Sequence, residues 1–357
     1  MKQTVQGRWP AERAWAWQRA QGRKLGCNYI PAYAVNQLEM WQADTFDADA
    51  INRELGWARA FGLNSVRVYL HDLLWEQDAA GFIARIHRFL EIAQAHGISV
   101  MLVFFDDCWQ DHPRTGRQPE PVPGKHNSGW AMSPGSAVTR DPRQWPRLEA
   151  YVRGIVREFG NDERVILWDV YNEVSNRFMG AMHAPWWRRV PGNAWVYATQ
   201  VLREGHAERL MIEAFRWVRE ENPLQPVTAA EYFNFPRLNA VLVEHSDVVS
   251  FHNYDDAMAL AAHIDRLQVH GRPLVCSEWM SRPKSVFATH LPVFRQHDVS
   301  CYCWGLVTGK TNTRFGWQSL PGADSEPEPW FHDVLRDDGS AYDPAEQVLV
   351  RAEGLNR

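Results

Sequence analysis

The chain reads as a single (β/α)8 barrel domain spanning residues 1–357, on three observations. Eight short runs rich in β-branched or aromatic residues recur along it. Between them lie longer segments whose apolar residues return every three or four positions, the period of a helix buried on one face. Nearly every run also closes on a polar or aromatic residue, at the strand ends where this fold carries its active sites.

The runs are "LGCNYIP" near 25–31, "SVRVYL" near 65–70, "SVMLVFF" near 99–105 and "VILWDVY" near 165–171. "PVTAAE" near 226–231, "VVSFHNY" near 248–254, "PLVCSEW" near 273–279 and "SCYCWGL" near 300–306 follow. The helical patterns "DADAINRELGWARAFG" and "GFIARIHRFLEIAQAHG" both end in Gly, a common helix stop. The fifth-to-sixth connection, "PRLNAVLVEHSD", leaves room for only a small helix. After the third run comes a long loop, roughly 107–145, rich in Pro and Gly; loops of that length are usually functional or disordered. No linker, repeat or second domain is visible.

Composition narrows the function classes. The net charge is −5 and no run of like charges occurs. A nucleic-acid footprint would show as a clustered basic excess, and a polybasic membrane anchor is equally absent. No apolar run approaches the roughly 20 residues that span a bilayer. The opening "MKQTVQGRWPAERAW" lacks the apolar core of a secretory signal, so a cytoplasmic protein is expected. Five cysteines, odd in number and scattered through strand-like runs, read as reduced core thiols. The outlier is aromatic content: 18 Trp, 16 Phe and 10 Tyr, many of the Trp beside polar residues as in "DDCWQDH", "APWWRR" and "FGWQS". They read either as large side chains filling loops and core rims, which accounts for most of them, or as flat apolar platforms for ligands such as sugars or bases.

The run ends read Arg67 and His71-Asp72, Asp106-Asp107, Asn172-Glu173, Glu231, His252 with Tyr254, Glu278, and Trp304. In "WDVYNEVSN", residues 168–176, a buried strand ends on an Asn-Glu pair. Two carboxylates converging over a barrel mouth suit acid/base and nucleophilic work on a glycosidic bond. One must be protonated and the other ionised, so their environments should separate their pKa values. Arg67 is placed to keep one of them ionised, and Tyr254 to donate to the same group.

Asn-Glu ending the fourth strand, His-x-Tyr the sixth, Glu the seventh and Trp the eighth resemble clan A of the retaining β-glycoside hydrolases, in its cellulase-type, family 5-like branch. Arg67 matches that clan's arginine. The resemblance implies that Glu173 is the acid/base, that Glu278 in "VCSEWM" is the nucleophile and that Asn172 contacts the sugar 2-hydroxyl. It further implies that Tyr254 orients Glu278 and that Trp304 floors the −1 subsite. The expected substrate-binding set is Arg67, His71, Asp106, Trp109, Asn172, His252, Tyr254 and Trp304. Of these, His71, Asp106 and Trp109, with Asp72 and Asp107, could equally hold loops together. Glu39 and Lys310 are weaker candidates. The expected partner is an oligosaccharide with plant-type β-linkages. Transglycosylation and binding without catalysis are the alternatives. Many relatives carry Pro after the acid/base Glu, whereas Val174 stands here.

Two geometric expectations follow: a carboxyl separation of about 5–5.5 Å for a retaining pair, and a cis peptide at Trp304–Gly305. The 107–145 loop and the 177–196 segment could block one end of the groove, favouring short oligosaccharides. Other signals fail. "GLVTGKT" has three residues, not four, between its glycines and sits on the eighth run. No two His are three or four apart and no His-Glu-x-x-His occurs, so a dedicated zinc site is not expected; no metal and no cofactor are expected. No Gly-x-Ser-x-Gly elbow or dinucleotide fingerprint occurs, and "CYC" lacks the spacing of a redox pair.

Overall fold

The eight runs become β1 (Leu25–Asn28), β2 (Ser65–Tyr69), β3 (Ser99–Asp106), β4 (Val165–Asn172), β5 (Val227–Thr228), β6 (Val249–Asn253), β7 (Leu274–Trp279) and β8 (Ser300–Trp304). The computed structural model describes residues 5–176, 186–319, 321–322 and 325–355. The strands pair in parallel in the order β5-β4-β3-β2-β1-β8-β7-β6. The remaining seam, between β5 and β6, is closed by Glu231, whose N–H donates to Ser250 O at 3.1 Å and whose carbonyl accepts from His252 N at 2.8 Å. The barrel expected from the sequence is therefore present.

β5 is shorter than its run because side chains replace part of its ladder. Asp247 accepts from Val227 N at 2.9 Å, and Ser246 Oγ from Ala229 N at 3.3 Å. Elsewhere the period of two sorts the strands as a barrel requires. In β2, Val66 and Val68 face the helices, while Ser65, Arg67 and Tyr69 point inward. The inside is thus apolar only in its lower part, where Met101, Leu167, Val248, Val275 and Tyr302 pack with Trp9 from the N-terminal segment. Above that plug the lumen is polar, and this polar layer is the floor of the site.

The helices carry the signals read from sequence. Ala48–Phe61 starts under Asp47, which caps Asp49 N and Ala50 N, and stops at Gly62 in the left-handed conformation. Pro236–His245 is the small helix expected between β5 and β6. All five cysteines are free and buried. Among the described residues no helix is long and apolar enough to cross a membrane. Part of the segment expected to block the groove, residues 177–185, lies outside the described residues.

Candidate active site

β4 is buried from Val165 to Asn172, and the chain then leaves the ladder through a turn. In it Glu173 (φ 45°) and Ser175 (φ 68°) are left-handed. That conformation costs a non-glycine residue about 1–3 kcal/mol and persists where surrounding contacts impose it. Asp107 imposes it here: Oδ2 accepts from Ser175 N at 2.8 Å and Oδ1 from the Tyr171 hydroxyl at 2.9 Å. The Tyr232 hydroxyl donates to Val174 O at 2.8 Å. The turn brings Glu173 to the wall of a cavity of about 180 Å³ at the barrel mouth.

Glu278, from β7, faces Glu173 across His252. His252 Nδ1 lies 2.9 Å from Glu173 Oε1 and 3.5 Å from Glu278 Oε2. One oxygen of each carboxylate and one imidazole nitrogen all fall within 4.8 Å of one another. Sequence spacing gave no hint of a cation site, yet these three side chains, from three strands, form a donor set able to hold one. Distance along the chain says little about ligands assembled by a barrel.

The two carboxyls have different neighbours. Glu278 accepts from Arg67 Nη1 at 2.8 Å, from the Tyr69 hydroxyl at 2.9 Å and from the Tyr254 hydroxyl at 2.9 Å. Burial, then for Tyr254 the nearby Glu278 charge, pushes both tyrosines well above their ordinary pKa, so they remain donors. Glu173 Oε2 accepts from Cys108 Sγ at 3.1 Å and from Asn176 Nδ2. Burial pushes the Glu173 carboxyl up, but the hydrogen bonds from His252, Cys108 and Asn176 and the His252 charge outweigh it, so its pKa is lowered. The acid expected to be raised is thus lowered instead. Three donors around one carboxylate are the reason.

Arg67 is wholly buried beneath this pair. Its Nη2 and Nε donate to Asp169 Oδ2 at 2.7 and 3.1 Å. Nη2 also reaches Asn172 Oδ1 at 2.7 Å, and Nη1 reaches Asn28 Oδ1 at 2.8 Å. Asn172 in turn donates to Asp106 Oδ1 at 3.0 Å. Asp106 also accepts from Trp130 Nε1 at 2.6 Å, and burial pushes its carboxyl up to about 7.

Of the expected binding residues, Trp109, Asn172, His252, Tyr254 and Trp304 line the cavity with both glutamates. Arg67, His71 and Asp106 are not among its lining residues. Arg67 lies one layer down, and Asp106 is spent on Asn172 and Trp130. His71 caps the helix Asp72–Ala95 through Nδ1, and its Nε2 is 3.0 Å from Met132 O. Asp72 accepts from Ser133 Oγ and Arg147, so it too ties loops. Glu39 and Lys310 pair at 2.6 Å, joining the loops after β1 and β8. Cis peptides among the described residues fall at Ser133–Pro134, Arg282–Pro283 and Glu328–Pro329, so Trp304–Gly305 is trans. The chain turns there instead through Gly305, at φ 80°.

Sequence reasoning missed Tyr69, Cys108, Trp130, Tyr232, His126 and Trp317. Tyr69 was within reach, since it stands two residues after Arg67 on the same strand face. The others sit in loops whose return to the site no local pattern announces.

The sequence profile of the cellulase family, glycosyl hydrolase family 5, matches residues 32–318. The chain belongs to glycoside hydrolase family 5. It is a glycoside hydrolase of clan A, and its substrate is a carbohydrate. Solved family 5 structures share the fold at low identity. A subfamily 18 enzyme variant from Streptomyces cattleya, in complex with Manβ1-4GlcNAc, superposes with TM-score 0.59 at 13% identity, over 94% of this chain and 81% of that one. An exo-β-1,4-mannosidase from Opitutaceae bacterium strain TAV5 gives 0.60 at 16%, over 94% and 60%. The endo-1,4-β-D-mannanase of Thermotoga petrophila gives 0.54 at 13%, over 94% and 100%. No curated protein matches the chain.

Proposed function

We propose that this family 5 hydrolase cleaves β-glycosidic bonds of plant-type oligo- or polysaccharides by double displacement, with Glu278 as nucleophile and Glu173 as acid/base. The observation that carries the reading is the carboxylate pair. One oxygen of each carboxylate lies within 4.8 Å of the other, a close approach that favours a retaining pair over the wider, roughly 6.5–9.5 Å carboxyl separation of an inverting one. Glu278, held by three donors, attacks the anomeric carbon. Glu173 gives its proton to the departing oxygen, then takes one from the water that cleaves the glycosyl–enzyme bond.

The lowered Glu173 pKa is set by the protein's own donors. A bound sugar adds burial and leaves Glu278 as a like charge nearby, both favouring the protonated carboxyl. Asn172, fixed by Arg67 and Asp106, presents itself to a ring hydroxyl, and Trp304 offers an apolar face below the ring. Arg67, Asp106 and Asp107 act by positioning.

The test is a panel of aryl β-glycosides, led by mannosides and glucosides because fold neighbours bear those names. Wild type should turn over at least one sugar and Glu278→Ala none. Glu173→Ala should lose about 10²–10⁴-fold on poor leaving groups, less on activated ones, and recover with azide. Turnover by Glu278→Ala equal to wild type would refute the assignment.

A further inference from the structure

We infer that the enzyme acts at chain ends, releasing one sugar at a time from the non-reducing terminus, because the two sides of the carboxylate pair are built differently. The inference rests on the proposed roles of Glu173 and Glu278. The leaving group must lie on the Glu173 side, toward Tyr232 and His252, and the glycone on the side of Trp304, Trp130 and Tyr69.

The glycone side is walled. Trp130 and Trp304 meet edge to face at 5.7 Å, and Tyr69 lies 5.1 Å from Trp130. Among the described residues, the pocket behind them holds only about 10 Å³, at most the space of one water molecule and too little for a second sugar. The wall is also anchored at both ends. Asn36 Nδ2 donates to Gly129 O at 2.8 Å and Gln37 Nε2 to Ala131 O at 3.0 Å, from the loop after β1. Asn127 N donates to Thr311 O at 2.8 Å and His126 Nδ1 lies 2.7 Å from Phe315 O, on the loop after β8.

Among the described residues, the other side opens. Tyr232, Phe233, His252, Tyr254 and Trp317 are shared between the catalytic cavity and an adjoining cleft of about 850 Å³. Phe233, 50% exposed, and Trp317 give this cleft apolar faces on which further sugar rings can stack. The substrate class is therefore a β-linked oligosaccharide with a free non-reducing end, whose remaining sugars extend into the cleft.

The experiment uses oligosaccharides of the sugar accepted in the glycoside panel, labelled at the reducing end, with and without a bulky acetal across the terminal non-reducing hydroxyls. The expected result is stepwise shortening of the free chains by one sugar, monosaccharide as the sole early unlabelled product, and no turnover of capped chains. Hydrolysis of capped chains, or early release of unlabelled di- or trisaccharides, would overturn chain-end action while leaving the glycosidase reading standing. Failure to cleave aryl glycosides and free chains alike would overturn both.

Discussion

Glu173 is held by one nitrogen of His252, one thiol and one amide, and this unusual set makes a measurable claim. A thiol hydrogen bond to a carboxylate favours the ionised form. Cys108 itself stays a thiol, because burial pushes it well above its ordinary pKa. Replacing it by Ala removes a donor worth about 0.5–1.5 kcal/mol, or about 0.5–1 pK unit. In its proposed role as acid Glu173 must be protonated, so activity should fall as pH rises through its pKa. Cys108→Ala should move the basic limb of the kcat/KM profile upward by that amount, and Cys108→Ser should restore it. An unmoved limb would show that the thiol merely packs. Tyr69 makes a second residue-scale claim. Tyr69→Phe removes a donor to Glu278, worth about 1.5–3 kcal/mol for a charged acceptor, so kcat should fall about 10–150-fold. Steady-state kinetics on the best aryl glycoside checks it.

At the scale of elements, the turn after β4 and the loop after β3 form one device. Asp107 never reaches the cavity, yet it holds both Tyr171 and Ser175 around the left-handed Glu173. Asp107→Ala should therefore lower kcat by about 100-fold, the scale of a 1 Å misplacement, with KM little changed. Asp107→Asn, which keeps one acceptor, should fall less; equal kcat for wild type and Ala would remove the positioning role. The sequence was most legible at this scale. All eight runs are strands or include them, because β-branched patterning and barrel packing ask for the same residues. Strand ends pointed to Glu173, Glu278, Asn172, His252, Tyr254 and Trp304, and the fold brings these six to one cavity. It was least legible where a polar residue could serve either a sugar or a loop. His71 and Asp72 tie loops, whereas Asp106 and Asp107 hold Asn172, Trp130 and the turn after β4, and only the folded chain separates the two uses.

Across the whole molecule, the polar lumen and the outer shell are tied by buried charges, and one of them links stability to pH. Glu54 on the helix Ala48–Phe61 accepts from the Tyr29 hydroxyl at 2.9 Å and from Ala32 N at 3.1 Å. Burial pushes its carboxyl up from 4.5 to about 7. Between these values the folded chain keeps a proton that the unfolded chain releases, so stability falls as pH rises through that window. The loss is on the order of 3 kcal/mol. Glu54→Gln should lose less stability than wild type between pH 5 and pH 8, as read from urea midpoints. Parallel losses in the two proteins would sink the point.

The central claim, that two carboxylates this close carry out a double displacement, is tested most directly by the configuration of the first sugar released. Proton NMR during rapid hydrolysis of a β-glycoside should show the β-anomer first, with the α-anomer rising only as mutarotation proceeds. An α-anomer appearing first would mean inversion, and would contradict the roles given to Glu173 and Glu278.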